Sequence, residues 1–253
     1  MTAITTPLQN LGAAGVVAAV VVVLLVTERL APLRRRTRPT ARRVLVNVTM
    51  SVLAFAAGYL VVRPTAAQLM GWTSETTIGV LRLVPLPTWA GIAVGMVLMD
   101  LTVYYWHRLN HRWGLLWRFH GAHHADPDMD ATTSFRFHPV EILYSAAFRA
   151  AQVSILGVSL PTYAAYEAVF QCATVFHHSN LRMPIGMERL LNRLIVTPRM
   201  HGVHHSVVGE ETDSNYMLIH FAPKHTTCCR SRFRHGIRSR AASGTPPSEC
   251  GGG

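Results

Sequence analysis

The sequence has few acidic residues and few cysteines. Its 253 residues include 13 Asp and Glu against 24 Lys and Arg, and charged residues make up only 15% of the chain, below the usual quarter of a soluble domain. The cysteines form no recognisable disulfide framework or metal knuckle; they are Cys172, Cys228, Cys229 and Cys250. We therefore expect neither a disulfide scaffold nor a cysteine-bound structural zinc.

Several functional motifs are also missing. No histidine is followed by glutamate, which excludes the His-Glu-x-x-His zinc hydrolases. There is no Gly-x-Gly-x-x-Gly dinucleotide fingerprint and no cysteine set for an iron–sulfur cluster. The net charge of +11 suggests nucleic-acid binding, but the basic residues concentrate in blocks 29–43 and 224–240, which flank apolar sequence. We expect no nucleic-acid partner, and the first block fits anionic lipid headgroups.

Three apolar segments are present, at residues 11–26, 44–62 and 89–106, and each is close to the length of a bilayer span. A signal peptide would carry positive charge before its apolar run, whereas here the arginines follow the first segment. The positive-inside rule then places the block 29–43 in the cytoplasm.

Two further apolar arms, residues 142–156 and 162–176, predict a helical hairpin broken at 157–161. Arg149 in the first arm must snorkel or face the protein interior. The predicted fold is therefore an all-α integral membrane protein with about three transmembrane helices plus this hairpin. Residues 1–99 would anchor it, residues 100–216 would form a histidine-rich catalytic region, and residues 217–253 would form an atypical, poorly ordered tail.

Histidine is the abundant functional residue. Ten of the 14 histidines lie in four clusters: His107 and His111; His120, His123 and His124; His177 and His178; and His201, His204 and His205. On a helix, the spacings i, i+3 and i+4 bring side chains to one face, within reach of a common metal. Imidazole is the commonest ligand for zinc, copper and iron, and nine or ten rings suit two metals. With the block 29–43 in the cytoplasm, the segment 44–62 would leave it and the segment 89–106 would return to it. Counting the predicted membrane crossings in this way places all four histidine clusters on the cytoplasmic side.

Two other classes of protein would also use clustered histidines. A divalent-metal transporter places ionisable ligands inside its spans near the membrane midplane, whereas these clusters lie at span ends. Bis-histidine haem binding would need opposed pairs inside a helical bundle and would show a Soret band.

The three histidine boxes resemble those of the fatty acid hydroxylase / sterol desaturase superfamily. The segments LWRFHGAHHADPDMDATTSFRFHPVE, FHHSNLRMP and VTPRMHGVHHSVVGEETDSNY are similar to the regions around its boxes. The resemblance implies nine metal ligands and assigns no catalytic residue beyond them. They are His107, His111, His120, His123, His124, His178, His201, His204 and His205.

By the same resemblance, the protein would be a non-haem di-iron enzyme that uses O₂ to hydroxylate or desaturate a lipid. The expected cofactor is two iron ions, with zinc in a purified or inactive form. A separate electron donor is implied, such as a ferredoxin, a cytochrome or a reductase. The similarity to bacterial members favours the bacterial inner membrane over the endoplasmic reticulum.

The sequence departs from the family pattern in two places. Thr174 stands where some members carry a further ligand histidine, so one metal could be more open. From Met217 onward the chain does not resemble the closing motif of the family, which suggests a frame change or a truncated copy. A catalytically impaired member of the family is therefore an alternative.

Five residues are candidates for supporting the ligands from outside: Asp100, His138, His177, Asn180 and Asn215. Asp100 lies two helical turns before His107 and could orient an imidazole N–H. His138 precedes Pro139 and is expected to be structural. The two asparagines are expected to cap helices. Trp117 is expected to act as an anchor at the membrane interface.

Overall fold

The computed structural model describes residues 7–62, 64, 68, 79–206, 208–212, 214 and 216, but not the side chains of residues 7–14, 209 and 210. All of these residues belong to one compact unit, Met1–His220. The predicted tail at 217–253 and the candidate Asn215 lie outside the described residues.

Within this described part the chain forms α-helices and no strand, as the all-α prediction requires. The helices are α1 (Pro7–Leu30), α2 (Thr40–Ala57), α3 (Thr88–Arg112), α4 (Gly114–His124), α5 (Pro139–Leu156), α6 (Leu160–His178), α7 (Ile185–Leu191), α8 (Pro198–His204) and α9 (Gly209–Thr212). A π-helical turn, Gly58–Val62, extends α2, and short 3₁₀ turns occupy Val80–Arg82 and Ala131–Phe135.

Two helices among the described residues are long and apolar enough to cross a membrane. They are α2 with its π-helical extension, Thr40–Val62, and α3, and they contain the predicted segments 44–62 and 89–106. Large apolar side chains such as Leu45, Phe55 and Trp89 are exposed on their surfaces, as lipid-facing residues would be. The first predicted segment lies inside α1, a 24-residue helix.

The predicted hairpin is present as α5 and α6. Gly157 ends α5 with the left-handed φ of 67° that glycine adopts readily, and the Ser159 side chain caps α6 by accepting a hydrogen bond from the Thr162 amide. Pro161 lies within the first turn of α6 rather than in the break, because proline tolerates a first-turn position. The hairpin packs on α3 through buried apolar side chains, among them Met99 and Val153.

Arg149 faces the interior of this bundle. Its guanidinium lies 3.1 Å from the carboxylate of Glu167 on α6 and donates to Gln152, 2.6 Å away. The Gln152 amide in turn donates to the carbonyl of Met99 on α3. Pairing inside the protein offsets the cost of a lone charge in an apolar hairpin. Of the two predicted placements, snorkelling to the membrane surface or facing the protein interior, Arg149 adopts the second.

The arginine-rich block 29–43, whose last residues lie in the first turn of α2, binds protein groups as well as offering charge to the surroundings. Arg43 is buried and pairs with Asp126, at 2.9 Å, and with Asp130. The Asn47 amide also donates to Asp126, at 2.8 Å. The expectation that this block serves lipid headgroups is therefore wrong for Arg43, because two buried carboxylates neutralise its charge.

The loop between α1 and α2, which carries four arginines of this block, contacts the chain that follows α6. The Leu33 amide donates to the Asn180 carbonyl at 2.7 Å, and the Arg34 amide donates to the Asn180 side chain at 2.9 Å. The Arg34 guanidinium donates to the carbonyl of Pro198, the first residue of α8, at 2.6 Å. The arginine-rich loop and the histidine-bearing segments therefore lie on one side of the fold.

Candidate metal centre

Histidines are concentrated at the C-terminal ends of four helices. His107 and His111 lie in the last turns of α3, His123 and His124 end α4, His178 ends α6, and His201 and His204 lie in α8, with His205 as its C-cap. A helix C-terminus carries partial negative charge from its unpaired carbonyls. Four such ends directed at one place favour bound cations.

The fold between α3 and α4 brings the first two boxes together. Trp113 is extended, with φ −94° and ψ 109°, so the helix is interrupted there and α4 turns back. The His107 ring consequently lies 4.9 Å from His120, centroid to centroid, although thirteen positions separate them in sequence.

The nine predicted ligands form three overlapping groups, and within each group one nitrogen per ring lies within 4.8 Å of the others. The first group is His107, His111, His120 and His124; the second is His123, His178, His201 and His205; the third is His124, His204 and His205. The third group shares one ring with each of the other two. The arrangement has the form of two adjacent sites with His204 beside them.

Residues four apart share a group, whereas residues three apart do not. His120 and His124 join the first group while His123 joins the second. At about 100° per residue, i+4 lies about 40° to one side of i and i+3 about 60° to the other. Helix α4 therefore divides its three rings between two neighbouring groups, which the spacing alone did not predict.

The ring nitrogens are oriented by hydrogen bonds in four of the nine rings. In each, Nδ1 faces an oxygen acceptor: the Tyr216 carbonyl for His107 at 3.1 Å, Glu141 for His120 at 2.7 Å, the Arg136 carbonyl for His123 at 3.3 Å and the Thr174 carbonyl for His178 at 2.7 Å. Nδ1 is therefore the protonated nitrogen, and the lone pair is on Nε2.

These Nε2 atoms face one another. The separation is 2.9 Å between His123 and His178 and 3.1 Å between His107 and His120. Two lone pairs this close repel unless a cation lies between them. Histidine–metal bonds of about 2.0–2.1 Å place neighbouring ligand nitrogens roughly 3 Å apart, so the observed spacing fits a metal.

The environment keeps these rings neutral. Burial holds the pKa of five histidines outside the candidate spans well below its usual range: His120, His123, His201, His204 and His205. Both nitrogens of His124 and of His205 are buried without a hydrogen-bond partner. Buried polar atoms are normally satisfied, and a neutral imidazole is the form that binds metal. The residues present therefore fit a bound metal pair.

Glu141 is the residue of this site that sequence reasoning missed. It lies in the first turn of α5, is buried, and accepts the Nδ1–H of His120. Carboxylates in this position orient a ligand histidine and raise its basicity. Its position two residues after the Arg136-x-His138-Pro139 element was the available signal, but 21 positions separate it from His120.

The other candidates occupy different places. His138 is the N-cap of α5 and packs against the ring of Phe119. Asn180 ties the loop after α1 to the end of α6. Asp100 is fully buried on α3. His177 packs its ring 4.0 Å from His201 and joins none of the three groups among the described residues.

Two aromatic residues enclose the first group. The Trp117 ring lies 5.0 Å from the ring of His111 and 5.3 Å from that of His124. Trp117 was predicted to anchor the membrane interface, and that prediction did not include a contact with the histidines. Tyr216 lies 5.1 Å from the rings of both His111 and His204. These aromatic rings pack against the imidazoles and add apolar surface beside them.

Comparison with known proteins agrees with this site. The family model for fatty acid hydroxylase matches residues 92–222. Ornithine lipid hydroxylase OlsE of Rhizobium tropici is 33% identical over 125 residues, which cover 49% of this chain and 37% of that protein. Alkylglycerol monooxygenase of Xenopus tropicalis is 28% identical over 142 residues, covering 53% and 30%.

A cholesterol 25-hydroxylase-like protein of Caenorhabditis briggsae is 24% identical over 143 residues, covering 56% of this chain and 47% of that protein. The chain thus aligns with less than half the length of each of these relatives, and no solved structure matches it at a significant level. The family match covers more than half of the chain and includes every histidine of the three groups. The chain belongs to the fatty acid hydroxylase family.

Proposed function

We propose that this protein is an O₂-dependent lipid hydroxylase with two iron ions held by the nine clustered histidines. The observation that carries the proposal is the pair of facing Nε2 atoms in each of two adjacent groups, at 2.9 Å and 3.1 Å. Four neutral ligands in each group, with His204 adding a nitrogen beside them, suit two metals with four or five nitrogens each. Ligand sets of imidazole without thiolate also suit iron.

A bound iron pair would supply the activation of O₂ needed to attack an unactivated C–H bond. The protein's own residues hold and orient the rings. Glu141 keeps His120 in the tautomer that presents Nε2, and the backbone carbonyls of Thr174 and Arg136 do the same for His178 and His123. Trp117 and Tyr216 pack against the first group, and such apolar contacts would limit side reactions of reactive oxygen species with water.

The substrate class we propose is a membrane lipid. The relatives that align with the histidine region are named for an ornithine lipid, an alkylglycerol and cholesterol, and α2 and α3 are long and apolar enough to hold the site at the edge of a bilayer. Hydroxylation is preferred over desaturation because all three names denote oxygen insertion.

The topology we propose keeps the site on the cytoplasmic side of a bacterial inner membrane. The arginine-rich loop after α1 contacts both the end of α6 and the start of α8, so the positive-inside rule that places the loop in the cytoplasm also places the histidines there. Electrons would come from a separate ferredoxin, cytochrome or reductase.

The test combines metal analysis with turnover. The full chain is purified anaerobically, loaded with Fe²⁺ and analysed for iron, and membranes containing it are then given O₂, an electron donor and candidate lipids. We expect two irons per chain and an O₂-dependent hydroxylated product. His123→Ala should lose iron and product.

Two outcomes would contradict the proposal in different ways. Product formed equally by His123→Ala and the unchanged protein would remove the role of the histidine groups. Two irons without any product from a wide set of lipids would instead identify a catalytically impaired member of the family. Metal uptake into sealed vesicles would favour the transporter, although these ligands lie at helix ends.

A further inference from the structure

The segment from Arg182 to Leu194, which contains α7, presents an amphipathic surface that the metal centre does not use. Four of its apolar side chains are exposed, with 41% of Ile185, 46% of Met187, 63% of Leu190 and 67% of Leu194 accessible. Several exposed large apolar side chains within one short segment mark contact with another molecule or with a membrane.

The exposed charges on this segment are all positive. Arg182, Arg189 and Arg193 are exposed, whereas its one acidic residue, Glu188, is buried. Glu188 accepts a hydrogen bond from the Thr197 hydroxyl at 3.0 Å and pairs with Arg199 at 3.0 Å. With the carboxylate turned inward, the outer face consists of leucine, isoleucine and methionine beside arginine. That composition is typical of helices that lie in the plane of an anionic membrane surface.

The segment begins where α1 ends. Pro32 and Leu181 form an antiparallel bridge, and the Arg182 amide donates to the Ala31 carbonyl at 2.8 Å. Helix α1 exposes Val22, Val26 and, as its last residue, Leu30. The segment that carries the exposed apolar side chains of α7 is thus held at the end of α1, which is the level at which a membrane-embedded helix would meet the headgroups.

We propose that residues 182–194 lie in the membrane interface, with Leu190 and Leu194 among the acyl chains and Arg189 and Arg193 against anionic phospholipid headgroups. The Glu188 contacts attach this segment to Thr197, the N-cap of α8. Helix α8 carries His201 and His204, and His205 is its C-cap. The depth of the segment in the bilayer thus sets the level at which the metal centre meets the lipid. The inference needs neither bound metal nor turnover.

The test uses a photo-crosslinking amino acid in the full chain. Benzoylphenylalanine is placed at Leu190, at Leu194 or, as a positive control, at the exposed Phe55 of α2, and each protein is reconstituted without iron into nanodiscs with either zwitterionic lipid or a mixture containing phosphatidylglycerol. Mass spectrometry then identifies the adducts. We expect lipid adducts at all three positions.

In the mixed nanodiscs, adducts at Leu190 should be enriched in phosphatidylglycerol above its mole fraction, by up to about fivefold per contacting arginine. Arg189→Gln with Arg193→Gln should return the adducts to the mole fraction without abolishing them, and Phe55 should show no enrichment. Lipid adducts at Phe55 alone would overturn the proposal. Adducts at Leu190 with a protein in native membranes, and none with lipid, would identify a protein-docking surface instead.

Discussion

The Nδ1 atom of His120 lies 2.7 Å from a carboxylate oxygen of Glu141, and both side chains are buried. The contact joins α4 to the first turn of α5. It presents the Nε2 atom of His120 to the first histidine group, as carboxylate–histidine–metal arrangements do.

Replacing Glu141 by glutamine should weaken metal binding without removing a ligand. Glutamine can still accept the hydrogen bond from His120 but carries no charge. The Nε2 atom of His120 then becomes a weaker electron-pair donor to the metal, and we expect the affinity of one of the two metals to fall about 10- to 100-fold. Competition with a chelator of known affinity measures this loss. Glu167→Gln is the matched control because Glu167 pairs with Arg149 instead of a histidine; equal affinities in both variants would argue against the role of Glu141.

His138 should prove structural. Its side chain accepts a hydrogen bond from the Val140 amide at the N-terminus of α5, and asparagine is a preferred residue at such a cap. We expect His138→Asn to keep two metals per chain and its thermal stability. His138→Ala should keep the metals but lose about 1 kcal/mol of unfolding free energy. Loss of one metal from His138→Asn would show that the ring supports the metal centre.

Arg43 should be among the most sensitive positions outside the metal centre. It is 5% exposed and pairs with Asp126 and Asp130, so Arg43→Ala leaves two buried carboxylates uncompensated and should cost about 3–5 kcal/mol of unfolding free energy. Chemical denaturation in detergent measures the change. The neighbouring Arg42 is exposed, and its replacement by alanine should change stability by no more than about 0.5 kcal/mol. A similar loss in both variants would mean that helix propensity or overall charge is responsible.

Trp117 should report metal binding by fluorescence. Its ring lies 5.0 Å from that of His111, so a paramagnetic ion such as Co²⁺ in the first group should quench its emission. Trp117→Phe should remove much of the quenching. Trp89→Phe should not, because Trp89 is at the opposite end of α3, about 33 Å from His111 along the helix. Quenching that is the same in both variants would place the metal elsewhere.

Much of the fold follows from local patterns in the chain. Apolar segments predicted the helices that became α2 and α3, and the apolar arms on either side of Gly157 predicted the hairpin of α5 and α6. The histidine spacings located eight of the nine clustered rings, because a helix repeats every 3.6 residues and residues three or four apart lie near one another. The ninth, His178, was indicated by the resemblance to the family.

Contacts between distant parts of the chain could not be predicted in this way. Helix α4 places His120 and His124 in one group and His123 in the other. This division depends on which helix ends lie on each side of α4. The use of Glu141 and the burial of Arg43 depend on partners 21 and 83 or more positions away. Sequence by itself determined which residues are available to bind metal, through composition and helical period. Only the tertiary structure decided how they are shared and oriented, because hydrogen bonding and burial are set by whichever side chains packing brings together.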